Sequence, residues 1–267
     1  MIRPPRKSVA EILALRGKRP IVMLRVESLD EAAAAEAAGI DIVSVPPALL
    51  IDPRYREVAP TLFSIPGLDF FDVGTSDDFV RWAFSMLKAS ADAIYCSASN
   101  ETVRRLASEY VPVCGHVGLI PSRRTWTGGY VAVGKTLESA QLVWRQVRAL
   151  EEAGAFAAEI EVVPEPIAAA IMKKTSLLLI SMGAGTGGHA QYLFADDVLG
   201  QNTGHVPRHS KIYRNFNAEY DRLQRERVAA FKEYAADVNG GAYPEERHKV
   251  PVTDEVVERF SDWLEGQ

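Results

Sequence analysis

The stretch AFAAEIEVVPEPIAAAIMKKTSLLLISMGAG (residues 155–185) decides the fold class. Apart from two glutamates, residues 155–163 form an apolar run that predicts a buried strand, and residues 177–182 predict a second one. The alanine-rich segment 165–174 between them predicts a helix. Two strands joined by a helix are typical of a βαβ unit, and parallel strands are covered on both faces, which explains their nearly continuous apolar character.

The same alternation continues on the N-terminal side of this stretch. Strands are predicted at 20–24, 40–45, 93–96 and 111–117, and helices at 29–38, 76–89, 101–109 and 136–153. Right-handed crossovers then leave a doubly wound sheet or a barrel. A chain of 267 residues suits one (β/α)8 TIM barrel, which needs about 250.

The last fifty residues have a different character. From residue 218 the chain is highly charged and helical, and a second short helix is predicted at 254–264. No interdomain linker separates these residues from the barrel. We therefore expect a single domain over residues 1–267, in which 218–267 supplies terminal helices that cover the barrel or dock against a neighbouring subunit.

Composition excludes several classes of function. Hydrophobic residues make up 47% of the chain and charged residues 24%, as in soluble globular proteins. The net charge is −5 and no basic stripe occurs, so we expect no nucleic-acid partner. The apolar runs are too short for the roughly 20 residues of a membrane helix. The N-terminus has no signal-peptide pattern, and two cysteines make no disulfide framework, so we expect a cytoplasmic protein.

Two carboxylates lie at the end of the predicted strand 155–163. Strand alternation places Glu159 and Glu161 on one face, and active sites of barrels lie at the carboxyl ends of the strands. Two neighbouring carboxylates raise one pKa, which suits a general acid or base. Alternation alone leaves open that one is solvated at the rim or that both pair with cations. The histidines show no metal-ligand spacing, and a histidine such as His116 at a strand end is more often a hydrogen-bonded packing residue than a ligand.

Two glycine-rich segments invite an anion-binding interpretation. The letters GYVAVGKT (129–136) match a phosphate-binding loop, but they do not follow directly from a strand, so a nucleotide site is not favoured. The segment GAGTGG (183–188) follows a predicted strand and lets backbone amides approach an anion such as a substrate carboxylate.

Several blocks together resemble one enzyme family, ketopantoate hydroxymethyltransferase. They are VPVCGHVGLIPS (111–122), GGYVAVGKT (128–136), LEEAGAFAAEIEVVPEPIAAAI (150–171), ISMGAGTGGHAQYLFADDVLG (180–200), TGHVPRHSK (203–211) and VNGGAYPEE (238–246). The resemblance implies a (β/α)8 barrel of the phosphoenolpyruvate mutase and isocitrate lyase superfamily that assembles into decamers. It further implies hydroxymethyl transfer from methylenetetrahydrofolate to 3-methyl-2-oxobutanoate, in pantothenate biosynthesis.

The resemblance also assigns roles to residues. The family's general base lies in a leucine-glutamate-x-valine-proline-like segment, which here is IEVVP, so the role falls on Glu161. We expect substrate-binding roles for His116, Arg25 and Glu159, and for the glycine loop at Gly183 and Gly185. Arg25 is a candidate because a guanidinium holds a carboxylate through two hydrogen bonds.

The family's metal site departs from the pattern. The resemblance implies Mg²⁺ held by three carboxylates, but the corresponding positions carry Pro47, Gly67 and Ser97. Mg²⁺ requires oxygen ligands, so we predict no metal at this position. A slip in the alignment brings Asp69 or Asp72 into the site but does not restore all three carboxylates.

The sequence therefore predicts an enzyme that makes or breaks a carbon–carbon bond next to the carbonyl of a small 2-oxo acid, with Glu161 as base. One alternative is a metal-independent lyase or hydrolase acting on a different carbonyl acid. A second is a non-catalytic paralogue that binds a ligand on the same scaffold. In each case the expected partners are a small carboxylic acid and further copies of the chain.

Overall fold

The computed structural model describes residues 6–69 and 72–267, and its contacts divide the chain into two compact units. The first unit ends at Arg214 and the second comprises Asn215–Gln267. The predicted single domain is not decided by this division and remains a prediction.

The first unit contains one parallel sheet of eight strands. The strands are β1 (Ile21–Arg25), β2 (Ile42–Val45), β3 (Phe63–Pro66), β4 (Ile94–Tyr95), β5 (Val113–Gly118), β6 (Ala157–Glu161), β7 (Leu178–Met182) and β8 (Ala190–Phe194). Their order is β3-β2-β1-β8-β7-β6-β5-β4. Among the described residues, a single bridge between Gly67 and Tyr95 joins the two ends. The sheet is thus a nearly closed barrel, as the TIM-barrel prediction requires.

Helices follow the strands and surround the sheet. The α-helices of the first unit are α1 (Val9–Leu13), α2 (Leu29–Ala38), α3 (Pro47–Ile51), α4 (Tyr55–Val58), α5 (Ser76–Lys88), α6 (Asn100–Ser108), α7 (Arg124–Thr127), α8 (Leu137–Glu152), α9 (Glu165–Met172) and α10 (Ala195–Leu199). Side-chain caps explain several starts: Ser28, Thr75 and Ser99 each accept a hydrogen bond from a backbone amide in the first turn.

Two separate cores lie on the two faces of the sheet. Alternate residues of the strands fill the barrel interior, where Ile21, Ile42, Phe63 and Leu178 are fully or almost fully buried. The other residues of the same strands pack against the surrounding helices in a second, larger core. This alternation also decides which polar side chains point into the barrel.

The sequence patterns located six strands and missed two. The strand β3 lies in the segment TLFSIPG, where prolines and a serine hide the apolar alternation. The strand β8 follows a glycine-rich loop, and its five residues AQYLF alternate too briefly to be recognised. Both strands owe their conformation to neighbours, because β8 pairs with β1 and β7, and β3 pairs with β2.

The second unit is helical. It contains α11 (Phe216–Gly240), a short 3-10 turn at Glu246–His248 and α12 (Asp254–Glu265). These bounds agree with the helices predicted from residue 218 and at 254–264. No helix within residues 6–69 and 72–267 is long and apolar enough to cross a bilayer.

Candidate active site

The polar residues of the barrel interior gather at the carboxyl ends of the strands. They line a cavity of about 430 Å³. Its polar lining comprises Arg25, Glu27, Ser44, Asp69, Tyr95, His116, Glu159, Glu161, Tyr192, Asp197, His209 and Ser210. Four of the predicted site residues, Arg25, His116, Glu159 and Glu161, are thus brought together where barrel enzymes carry their active sites.

The centre of the cavity wall is a histidine between two carboxylates. His116 on β5 pairs in register with Glu159 on β6, and Glu161 lies one alternation further toward the mouth. The Nε2 atom of His116 lies 3.0 Å from Oε2 of Glu161 and 4.0 Å from Oε1 of Glu159. The three side chains are 2%, 12% and 7% exposed, respectively, so Glu161 is the one that solvent and substrate reach most easily.

A tyrosine holds the other side of the imidazole. The hydroxyl of Tyr95 on β4 makes a short hydrogen bond with Nδ1 of His116, and the two rings are inclined at 59°. Among the described residues, no side chain forms an aligned hydrogen bond with the buried Nε2 atom. Although Glu161 is close to it, the carboxylate oxygen therefore lies to the side of the direction in which Nε2 points.

Burial and mutual charge perturb these groups strongly. Burial raises the pKa of Glu159 to about 7, with the negative charge of Glu161 adding to the shift and His116 opposing it. Burial disfavours the charged form of His116, but the charges of Glu159 and Glu161 outweigh it and raise the pKa of the imidazole. Burial also raises the pKa of Tyr95 well above its ordinary value, so its hydroxyl stays protonated. Such perturbed groups in a cleft are typical of active sites.

Arg25 supplies positive charge at the opposite wall. Its Nε donates to Oε1 of Glu27 at 2.6 Å and its Nη1 donates to Oγ of Ser44 at 3.2 Å. The side chain is 20% exposed and lines the cavity. A guanidinium fixed in this way has a defined orientation toward an incoming carboxylate.

The backbone after β6 is constrained so that Glu161 stays in place. Val162 adopts a φ of 50°, a left-handed conformation that is rare for a β-branched residue. The amide of Leu119 donates to the carbonyl of Glu161 at 2.9 Å, and the amide of Val162 donates to the carbonyl of Met182 at 2.8 Å. A Cβ atom at Gly118 would lie 2.4 Å from that Glu161 oxygen, so only glycine permits this approach.

Some site residues escaped the sequence interpretation. His209 and Ser210 line the cavity, and Ser210 is held by a 2.6 Å hydrogen bond to the buried carboxylate of Asp197. Burial lowers the pKa of His209. The block 203–211 was recognised as part of the resemblance, but nothing in its composition shows that it lies over the cavity. The inward orientation of Tyr95 could have been predicted from the sequence. Tyr95 lies two residues after Ala93 and so on the same face of the strand, and Ala93 belongs to the interior core.

The glycine loops lie outside the cavity lining. A Cβ atom at Gly183 would meet His209, and one at Gly185 would meet the carboxyl group of Glu165, so both glycines are closely packed. Their predicted substrate-binding role stays a prediction. Lys135, in the loop that resembles a phosphate-binding motif, is exposed and is not among the residues that line the cavity.

The residues that the resemblance matches to the family's metal ligands do not fit Mg²⁺. Pro47 begins α3, Gly67 faces Tyr95 and Ser97 follows β4, so none of these residues offers a carboxylate. Asp69 lines the cavity and Asp72 lines a neighbouring one. A different group has the ligand types for a metal: one ligand atom each of His116, Glu159 and Glu161 lies within 4.8 Å of the others.

A parallel eight-stranded barrel with a buried histidine and two carboxylates at its mouth defines the class of protein, a (β/α)8-barrel enzyme. A model of the family ketopantoate hydroxymethyltransferase matches residues 59–246. The 3-methyl-2-oxobutanoate hydroxymethyltransferase of Kosmotoga olearia is 32% identical over 260 residues, which cover 89% of this chain and 95% of that protein. The enzyme of the same name from Erwinia tasmaniensis is 33% identical over 196 residues, 72% of each chain.

Solved structures with the same fold are more distant in sequence. An oxaloacetate acetylhydrolase superposes with a TM-score of 0.56 at 12% identity, covering 89% of this chain and 98% of that one. A 2,3-dimethylmalate lyase, described as a member of the PEP mutase/isocitrate lyase superfamily, superposes with a TM-score of 0.52 at 13% identity, covering 98% and 97%. These likenesses concern the fold alone. The chain belongs to the ketopantoate hydroxymethyltransferase family, and the resemblance noted in its sequence is thereby confirmed.

Proposed function

We propose that this enzyme forms or breaks a carbon–carbon bond next to the carbonyl of a small 2-oxo acid, with Glu161 as the general base. The substrate we assign first is 3-methyl-2-oxobutanoate, the compound in the names of its relatives. The observation that carries the proposal is the position of Glu161, a carboxylate at the cavity mouth beside a buried imidazole. Methylenetetrahydrofolate is the one-carbon donor that family membership supports.

The chemistry begins with removal of a proton from the carbon next to the carbonyl. Glu161 accepts this proton, and the electrons of the broken bond pass into an enolate whose oxygen carries negative charge. That charge needs positioned donors or positive groups. Since Pro47, Gly67 and Ser97 provide no carboxylate for Mg²⁺, we assign this stabilisation to the chain's own cations.

Arg25 and His116 are the cationic groups within the cavity lining that suit this task. We assign the substrate carboxylate to Arg25, because a guanidinium binds a carboxylate through two parallel hydrogen bonds. The raised pKa of His116 favours the positively charged imidazolium beside Glu161, and to this group we assign stabilisation of the developing enolate. His116 and Glu159 carry little net charge together, whether the proton lies on the imidazole or on the buried carboxyl group.

A second candidate function is a metal-independent lyase acting on another carbonyl acid. The specific observation in its favour is the replacement of all three expected carboxylates, by Pro47, Gly67 and Ser97. Incubation with ketopantoate and with other 2-oxo acids separates the two candidates. Formaldehyde release from ketopantoate supports the first, whereas cleavage of a different acid without formaldehyde supports the second.

We also propose that the enzyme works in the cytoplasm as a homo-oligomer. In the second unit, the side chains of Phe260 and Trp263 on α12 are each 57% exposed. Exposed apolar residues at helical spacing are typical of surfaces that dock against protein. Light scattering after gel filtration measures the subunit number, and a monomeric mass contradicts this proposal.

The base is tested by proton exchange, which needs no one-carbon donor. In D₂O the unaltered enzyme should exchange the C3 proton of 3-methyl-2-oxobutanoate, as followed by NMR. Glu161→Gln should slow this exchange by about 10²–10⁴-fold, the usual contribution of a positioned base. Glu152→Gln, an exposed glutamate on α8, serves as the matched control. Equal exchange rates in the Glu161 variant and the control would contradict the assignment.

A further inference from the structure

The histidine–carboxylate group at the cavity wall has features that the base alone does not need. A general base requires one carboxylate, but here Glu159 and Glu161 both face the same imidazole nitrogen of His116. Their ligand atoms and Nε2 lie within 4.8 Å of one another. All three side chains are at least 88% buried, on adjacent strands whose register is fixed by parallel pairing.

The unsatisfied nitrogen of His116 is an independent second observation. Nε2 is buried, it faces the two carboxylates, and no described residue makes an aligned hydrogen bond with it. A buried polar atom without a hydrogen bond costs about 1–3 kcal/mol, so its persistence calls for an explanation. The oxygen of Glu161, at 3.0 Å but off the ring axis, is placed as a second ligand of a shared ion would be.

The hydroxyl of Tyr95 completes this arrangement on the far side of the ring. It makes a hydrogen bond with Nδ1 of His116, and its oxygen can accept that hydrogen bond from the Nδ1–H group. A metal-binding histidine usually donates its other N–H to such a partner, which fixes the ring and leaves the opposite nitrogen as the ligand. In the neutral imidazole, Tyr95 therefore leaves Nε2 as the free ligand atom, on the side of the ring where the two carboxylates lie.

We propose that His116, Glu159 and Glu161 bind one divalent first-row transition ion, of the kind represented by Zn²⁺ and Co²⁺. One imidazole and two carboxylates match the ligands of zinc sites, which bind at about 2.0–2.2 Å, and three protein ligands leave a position open toward the cavity. Imidazole favours zinc, copper, iron and nickel, whereas Mg²⁺ demands oxygen ligands in an octahedron. This site therefore differs in position and in ion from the magnesium site that the resemblance implies for the family.

The ion and the base function exclude one another. A carboxylate bound to a divalent cation does not accept a proton, so metal binding at Glu161 stops the proton abstraction assigned to it. This second half of the inference rests on the proposed function, whereas ion binding itself does not. Zn²⁺ then acts as an inhibitor that competes with the substrate for one cavity.

Binding is tested on the full-length, tag-free protein after dialysis against chelator. Zn²⁺ is titrated in competition with a chromophoric chelator, and Co²⁺ is titrated by its visible absorption, which reports ligand geometry. We expect one ion per chain, unaffected by millimolar Mg²⁺. Glu159→Gln should weaken binding by more than the roughly 10–100-fold typical of outer-sphere changes, and Tyr95→Phe should weaken it by about 10–100-fold.

Matched controls separate this site from other ligands on the chain. Asp69→Asn removes a carboxylate from the same cavity but not from the group of three, so zinc affinity should not change. Circular dichroism verifies that each variant is folded, and Tyr95→Phe serves should Glu159→Gln fail to fold. No binding, or binding that both variants leave unchanged, overturns the proposal, since exposed histidines such as His248 would then be the ligands.

The inhibitory half has its own readout. Zn²⁺ should stop C3 proton exchange with the same concentration dependence as binding, and chelator should restore it. Exchange that continues at saturating Zn²⁺ overturns the exclusion while leaving the ion site intact. If the unaltered enzyme shows no exchange at all but the Co²⁺ spectrum depends on Glu159, the ion site stands and the proposed function fails.

Discussion

The barrel interior has a lower half and an upper half, which are formed by the same strands. The lower half is lined by apolar side chains and the upper half by titratable ones. In the lower half, toward the amino ends, Ile21, Phe63 and Leu178 are buried among apolar neighbours. In the upper half, His116 and Glu159 are also buried, but their side chains are titratable. Alternation along the strand is identical in both halves, so the difference lies entirely in side-chain type. The lower half stabilises the fold. The upper half lowers that stability, because it buries the titratable groups that carry the proposed reaction.

The largest expected effect is in the lower half. Phe63→Ala removes a ring that is 1% exposed, and it leaves a cavity that the surrounding strands cannot close. We expect the free energy of unfolding to fall by about 3–5 kcal/mol, as measured by urea denaturation. Phe84→Ala, at a side chain that is 47% exposed on α5, is the control and should change it by less than about 1 kcal/mol. An equal loss of unfolding free energy in both variants would contradict the assignment of Phe63 to the interior core.

The next effect concerns the upper half and should appear in catalysis. Arg25→Gln removes the charged donor assigned to the substrate carboxylate, an interaction worth about 1.5–3 kcal/mol. We therefore expect kcat/KM to fall roughly 10- to 150-fold, with little change in the melting temperature. Arg25→Lys should recover only part of the loss, because an ammonium lacks the two-pronged geometry. If Arg123→Gln, at an exposed arginine outside the cavity lining, lowered kcat/KM as much, the assignment to Arg25 would fall.

Stability against pH should reveal the buried charge of the upper half. The pKa of Glu159 is about 7 in the folded protein, against an ordinary value of 4.5. Between these values the folded carboxyl keeps a proton that the unfolded chain releases, so the free energy of unfolding falls as the pH rises. In chelator-treated protein, Glu159→Gln should be more stable than its parent at pH 8 by roughly 1–3 kcal/mol.

This difference should disappear near pH 5, where the parent is protonated as well. His116, whose pKa is also raised, contributes a slope of the same sign in the parent, and because Glu159 is the main cause of that raised pKa, the variant should lose part of this slope as well. Urea denaturation at a series of pH values measures the effect. A variant less stable than its parent at pH 8 would show that the Glu159 charge is well compensated.

A smaller effect is expected at the junction between strand and cavity mouth. Val162→Gly relieves the left-handed backbone, which for other residues costs roughly 1–2 kcal/mol. Glycine also gains entropy in the unfolded chain, which offsets about 0.5–1 kcal/mol. We expect stability to change by less than about 1 kcal/mol, while kcat falls because the backbone of Glu161 is less fixed. Unaltered kcat would show that the hydrogen bonds from Leu119 and to Met182 are sufficient.

The last prediction is that added Mg²⁺ leaves the melting temperature unchanged. A protein that binds an ion only when folded gains stability with ion concentration. Because Pro47, Gly67 and Ser97 offer no carboxylate, millimolar Mg²⁺ should not raise the melting temperature. An increase that Asp69→Asn removes would contradict this, and it would establish the shifted alignment in which Asp69 binds the metal.

Much of the fold was predictable because periodicity is a local property. The helix 29–38 was placed without error, since Ser28 begins it and Gly39 ends it. The strands β3 and β8 were missed because their short sequences become strands only through pairing with neighbours. The site divides in the same way. Alternation puts Glu159 and Glu161 on one face, but the meeting of Tyr95, His209 and these glutamates depends on barrel closure, which no local pattern encodes.

The way in which the barrel closes determines where its unfolding should begin. Between β3 and β4, the bridge of Gly67 and Tyr95 is the single pairing found among residues 6–69 and 72–267, whereas the other neighbouring strands pair at two to five positions. Local unfolding begins where the fewest hydrogen bonds must break. We therefore expect the barrel to open first at this seam, the junction of β3 and β4. Tyr95 is both the last link of the seam and the partner of His116. Gentle heating should therefore break the hydrogen bond between Tyr95 and the imidazole of His116 and abolish activity. Most backbone amides of the barrel should still be protected from hydrogen exchange at that temperature.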